Sequence, residues 1–114
     1  MKDQLFLLRP GFFEGSRGPL YCGDSVPVEG LLGFFPDLRR IIDVHYIDAP
    51  RPRKSVVDLV GPDNQSIPVL VLSPDRVVKD EAIGIRVDQG RRFINNEADI
   101  RKYLSAQYGV PSAG

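Results

Sequence analysis

Four apolar residues in succession, Leu5-Phe6-Leu7-Leu8, stop abruptly at Arg9-Pro10-Gly11, and this run constrains the fold more than any other part of the sequence. It is too short for a secretory h-region. It reads instead as a strand, and because no polar residue interrupts it, as a strand buried on both faces. Such a strand needs covering layers above and below it. The chain of 114 residues is long enough for one core, since a domain of this size buries roughly two thirds of the surface its unfolded chain exposes. A single domain over residues 1–114 is expected.

The remaining elements follow in order. Arg9 to Tyr21 is rich in glycine and proline and reads as a long loop anchored by Phe12 and Phe13. Val28, Leu31, Leu32 and Phe35 have the i, i+3, i+4, i+7 spacing of one helix face, which Pro36 ends. Ile41 to Ile47 is β-branched and aromatic, a second strand closed by Asp48-Ala49-Pro50. A short helix burying Val56, Val57 and Val60 is predicted next, with Pro52 in its first turn and Gly61 as a left-handed stop. Pro68 to Leu72 is a third strand with its proline at the first position. Ile83 to Val87 and Arg91 to Ile94 flank Asp88-Gln89-Gly90 as a hairpin. Asn96 caps a last helix with the stripe Ile100, Tyr103, Leu104 and Tyr108, ending near Gly109 and Pro111. The order is βαβαβββα. A βαβ start with a right-handed crossover gives a parallel pair, and the hairpin adds antiparallel strands, so an α/β fold with a mixed sheet and helices on both faces is expected.

Three segments make the chain resemble the thioredoxin-like superfamily. Cys22-Gly23-Asp24-Ser25, between the first strand and the first helix, resembles the C-G-x-S site of monothiol glutaredoxins. Ser66-Ile67-Pro68, opening the third strand, is similar to the x-x-V-P or T-x-P element whose proline is cis in that superfamily. Phe93 to Leu104 is similar to the segment that closes the N-terminal domain of glutathione transferases. Overall the chain most resembles a family of small bacterial thioredoxin-like proteins known as a domain of unknown function, whose motif more often reads C-x-x-C. The resemblance implies a three-layer thioredoxin-like fold and, with Ser25 in place of a second cysteine, chemistry limited to one thiol. By the same resemblance, the Ile67 backbone ahead of Pro68 would pair with the peptide backbone of glutathione, and Asn96 with Glu97 would stand where transferases hold the γ-glutamyl end. An acidic Glu97 suits a ligand carboxylate badly, whereas both residues serve well as helix-terminal residues.

Cys22 is the only cysteine, so no internal disulfide is possible, and a lone thiol without a signal peptide fits a reducing, cytoplasmic setting. Two readings of it are open. As a nucleophile, Cys22 would be helped by a helix N-terminus, by Ser25, and by Arg9 or Arg17 from the loop, and opposed by Asp24. Its partner would be glutathione or a protein thiol or disulfide, with glutathione serving as external co-reactant. Alternatively the chain is a non-catalytic binding module in which Cys22 is an inert, partly buried residue. Pro27 bears on the choice: if it forces the helix to begin near Val26 rather than Gly23, the thiol lies a turn ahead of the helix dipole.

Fifteen basic and fifteen acidic residues cancel, which removes the broad positive field of non-specific nucleic-acid binders. No membrane span is expected at 42% hydrophobic and 26% charged residues. His45, the only histidine, lies in a strand without a ligand cluster around it, so it reads as structural and no protein-only metal site is assigned. A glutathione-assisted iron–sulfur cluster enters only by analogy with C-G-x-S proteins. Arg39, Arg40, Arg51, Arg53 and Lys54 read as a solvated basic surface, and Phe12 and Phe13 either line a groove beside Cys22 or pack the loop onto the core.

Overall fold

The computed structural model describes residues Met1–Gly114. Its elements are β1 (Asp3–Leu8), β2 (Phe12–Glu14), β3 (Arg17–Leu20), α1 (Ser25–Phe34), α2 (Leu38–Ile41), β4 (Ile42–Ile47), α3 (Lys54–Val60), β5 (Val69–Val71), β6 (Arg86–Asp88), β7 (Arg91–Ile94) and α4 (Glu97–Tyr108). Five strands form one mixed sheet in the order β4-β1-β5-β7-β6. β1 runs parallel to β4, with Leu5 opposite Val44 and Leu7 opposite Tyr46. It runs antiparallel to β5, with Leu5 opposite Leu70. β7 is antiparallel to both β5 and β6. No helix is long and apolar enough to cross a membrane.

Both faces of β1 are covered, as its unbroken apolar run requires. Leu5 and Leu7, with Leu70, Leu72 and Ile94, meet Val28 and Leu32 of α1 and Ile100, Tyr103 and Leu104 of α4. On the opposite face Phe6, Val69, Val71 and Phe93 meet Val56 and Val60 of α3. The sheet is thus the middle layer of three, with alternate residues of each inner strand serving different cores.

Several local expectations are corrected. The segment Arg9 to Tyr21 is not a plain loop: β2 and β3 pair as a separate two-stranded hairpin, Phe12 opposite Leu20 and Glu14 opposite Arg17. Its glycine and proline content concealed it, yet Pro19 is tolerated because a two-stranded ribbon consists only of edges. Ile41 ends the short helix α2 and the strand starts one residue later, at Ile42. Pro52 precedes α3 instead of entering its first turn. Gly61 does have a positive φ of 88°, but its ψ of 166° is extended and not left-handed helical. Pro68 and Leu72 flank β5, and Ile83 is buried core outside any strand. The final hairpin turns on Gln89 and Gly90, both at positive φ (52° and 72°), the two-residue primed geometry that suits strand twist. Asn96 accepts a hydrogen bond from the Asp99 amide at 3.1 Å, and Gly109 is left-handed, so α4 begins and ends as its caps dictate.

A polar cluster that sequence patterning missed sits at the other end of β1. The Asp3 side chain is fully buried. Its carboxylate accepts from the Ser73 amide (2.8 Å), Arg76 Nε (3.1 Å), Tyr103 Oη (2.5 Å) and Tyr108 Oη (2.6 Å). Burial alone would raise its pKa, but the four donors outweigh that and hold it below the ordinary value of 3.8. Burial, then the adjacent carboxylate, pushes both tyrosines far above their usual range. Replacing Asp3 by Asn removes the charge that these donors surround, and is expected to cost about 1.5–3 kcal/mol at pH 7. Because the folded-state pKa is depressed, the contribution is complete above 3.8 and disappears as pH falls through the lower folded value. Urea titrations of both proteins check this: the gap should narrow as pH drops below about 4.

Candidate functional site

Cys22 is set by the end of the inserted hairpin and the start of α1. After β3 the chain passes through Tyr21 and Cys22, turns at Gly23 and Asp24, and enters the helix at Ser25. The Ser25 amide donates to the Cys22 carbonyl at 3.2 Å, which fixes the turn. Asp24 holds the cap position but makes no side-chain cap. The helix starts one residue before Val26, and Pro27 becomes its third residue, where the missing N–H falls among the amides that have no intrahelical acceptor. Cys22 therefore stands three residues ahead of the first helical residue.

The thiol is half-buried. Its Sγ lies 3.8 Å from the Ile67 carbonyl oxygen, a long S–H···O contact that brings the backbone before Pro68 beside the sulfur. The Ile67–Pro68 bond is cis. Ser25 is buried, and its Oγ accepts from the Leu8 amide at 3.3 Å. Its partner is thus the end of β1 and not the sulfur, so the expected hydrogen bond to Cys22 is replaced by one that ties α1 to the central strand. Neither loop arginine bonds the thiol, although Arg17 lines the larger of the two clefts beside Cys22, and both are paired with carboxylates. Arg9 pairs with Asp48 at 2.5 Å, and Arg17 with Glu14 at 2.6 Å.

Two clefts meet at Cys22. The larger, about 550 Å³, lies between the β2–β3 hairpin and the loop after β4, with Phe12, Phe13, Ala49, Pro50 and Arg53 on its walls. The smaller, about 270 Å³, lies between α1 and the ends of β1 and β4, and is mostly apolar. Leu8, Tyr21 and Cys22 line both. Phe12 and Phe13 are groove walls, and Phe13 is 59% exposed, so they do not anchor a loop to the core.

Arg53 is a candidate site residue that sequence reasoning did not separate from its neighbours. Its Nε donates to the Ala49 carbonyl at 2.9 Å and its Nη1 to the Gln65 carbonyl at 2.7 Å. The guanidinium is thereby held on the wall of the larger cleft. Burial lowers its pKa, Arg51 adds to this, and the nearby Cys22 opposes both. Of the other cations of that run, three are paired elsewhere and Arg51 is exposed. Arg39 bonds Glu29 and Tyr46, Arg40 bonds Asp37, and Lys54 bonds Asp58.

Asn96 does not join Cys22, Ser25, Ile67 and Pro68 at this site. Its Oδ1 caps α4 and it lines neither cleft, while Glu97 pairs with Arg101 at 2.7 Å. His45 stacks on Phe6 with ring centroids 4.8 Å apart, a packing role. No group of three or more His, Cys, Asp or Glu side chains is arranged to hold a metal ion.

The site is chemically a single accessible sulfur with a backbone carbonyl on one side and a fixed cation near it. Two substitutions separate its parts. Ser25→Ala leaves the Leu8 amide without its acceptor and is expected to lower stability by about 1 kcal/mol in urea titration, while Cys22 still alkylates. Arg53→Ala is expected to slow the reaction of Cys22 with a dianionic aromatic disulfide several-fold more than with a neutral dithiodipyridine, as absorbance kinetics would record, because only the charged reagent loses its counter-charge.

The family model described as "Protein of unknown function (DUF3088)" matches residues 2–112. No curated protein and no solved structure matches the chain.

Proposed function

Because the chain belongs to the DUF3088 family, whose function is unknown, its activity has to be read from the site itself, and we propose that it is a thioredoxin-like monothiol thiol–disulfide oxidoreductase with Cys22 as nucleophile. The observation that carries the reading is the half-buried Sγ at the turn into α1, 3.8 Å from the Ile67 carbonyl at the entry to β5 and on the rim of two clefts. The sheet order β4-β1-β5-β7, with α1 and α4 on one face and α3 on the other, supports the thioredoxin-like fold. β6 is then an addition at the edge.

In the proposed cycle the Cys22 thiol gives its proton to solvent, and the thiolate attacks one sulfur of a disulfide. A Cys22 mixed disulfide forms, and the other sulfur leaves as a thiolate that takes up a proton. Glutathione, as the external thiol, then attacks the mixed disulfide and releases Cys22. Ile67 would offer its backbone to the peptide part of the ligand, Pro68 would shape that edge, and Arg53 would stand by for negative charge. Ser25 acts as a positioning residue through Leu8. A cytoplasmic setting, where glutathione is plentiful and thiols stay reduced, belongs to the same proposal.

The competing reading is a thioredoxin-like binding module with an inert Cys22. It is favoured by the engagement of the Ser25 hydroxyl with Leu8 and of Asn96 with its own helix. Intact-mass measurement after exposure to glutathione disulfide or to a reactive peptide disulfide decides between them. One glutathione is expected on the native protein, removable by excess glutathione and absent from Cys22→Ser. A native protein that stays folded yet unmodified both by glutathione disulfide and by a reactive peptide disulfide would leave only the binding module.

A further inference from the structure

We propose that the smaller cleft is the subsite for a bulky apolar side chain next to the reacting cysteine, so that the preferred disulfide is that of a peptide or protein segment and not of glutathione. This inference rests on the redox reading of Cys22. Its warrant is the contrast between the two clefts that share the sulfur.

The smaller cleft is built from Leu7, Leu8, Pro10 and Val26, and its volume of about 270 Å³ suits one large side chain. The only charged residue in its lining, Glu29, is already satisfied. Its carboxylate accepts from Tyr46 Oη at 2.7 Å and from Arg39 at 2.8 Å, and Arg39 also donates to Tyr46 at 3.0 Å. Burial and the Glu29 carboxylate keep the Tyr46 phenol protonated. The closed triad presents neither a free anion nor a free cation, so the cleft attracts an uncharged occupant. The larger cleft differs, with Arg53 on its wall and no carboxylate bonded to that guanidinium.

A molecule bonded to Cys22 Sγ necessarily extends along the walls that meet there. In a peptide, the backbone lies beside Ile67 and the residue flanking the cysteine turns its side chain into the smaller cleft. Glutathione carries only a γ-glutamyl group and a glycine around its cysteine, and so leaves that cleft empty. The bond changes are those given above. The Cys22 thiolate forms the Cys22–peptide disulfide and expels the second sulfur as thiolate, and a glutathione thiolate then attacks the peptide sulfur, giving a peptide–glutathione disulfide and free Cys22.

Three disulfides with one common aromatic thiol as leaving group test the idea: a cysteine peptide flanked by leucine, the same peptide flanked by aspartate, and glutathione. Release of the aromatic thiol gives the rate. The leucine peptide is expected to react about tenfold faster than the other two, on the scale that one apolar group contributes in a hydrophobic pocket. Val26→Asp, at a position 51% exposed and outside the core, should reduce the leucine peptide's rate far more than that of glutathione. Equal rates for the three disulfides on the native protein would overturn the subsite and leave the redox reading standing. No reaction with any of them would overturn both.

Discussion

The strand β1 has no free face and no free edge. α1 and α4 cover one side of it, α3 covers the other, and β4 and β5 bond its two edges. A six-residue segment so enclosed takes part in both hydrophobic cores at once, through Leu5 and Leu7 in one and Phe6 in the other. The site depends on it in turn. The Leu8 amide holds Ser25 at the start of α1, Leu8 lines both clefts, and the Arg9 amide donates to the Ile47 carbonyl at 2.8 Å, which sets where β4 ends. Cys22 owes its position to a strand in which it does not itself take part.

Between that strand and α1 the chain inserts a ribbon that belongs to neither core. Of its aromatic residues Phe13 is exposed and Phe12 half-buried, and its one ion pair is internal, Glu14 with Arg17. The ribbon adds little burial to the fold. What it adds is a wall, which converts the edge near Cys22 into a cleft facing Arg53 across the way. On the opposite side of the sulfur, the wall is made by α1 itself. The thiol thus lies between an insertion and an element of the core, and the two sides differ in polarity for that reason.

Much of the scaffold was legible from periodicity. The unbroken run at Leu5 to Leu8 required cover on two faces, the stripe of α4 and its Asn96 cap were found where their spacing put them, and the parallel start followed from a strand, a helix and a strand in sequence. The failures also have physical causes. Pro19 and the glycines around it mimic loop composition, so a ribbon made only of edges escaped notice. Ile83 is apolar because it fills the core, not because it extends a strand. At the site, position along the chain placed Cys22, Ser25 and Ile67 together, but not the partners of their atoms. Ser25 turned to a backbone amide three elements back, the loop arginines found carboxylates of their own, and Arg53 emerged from a run of cations only because two carbonyls hold it. Long-range polar pairing has no period, and sequence patterns do not carry it.

A strand that is apolar on both faces has a weakness that ordinary amphipathic strands lack. When one face is polar, a slip of one residue drives the whole hydrophobic set into water, and the error corrects itself. In β1 a slip in one direction puts Phe6, Leu7 and Leu8 where Leu5, Phe6 and Leu7 stand, so those three buried positions stay apolar, and only the opposite slip is opposed, by Gln4 entering the place of Leu5. Asp3 supplies the missing distinction. Its carboxylate alone fits among Ser73, Arg76, Tyr103 and Tyr108, and a shift in either direction would bring in Lys2, a like charge against Arg76, or the neutral Gln4. The buried acid is the alignment mark of the strand, telling the sheet which of two equally greasy registers is the native one.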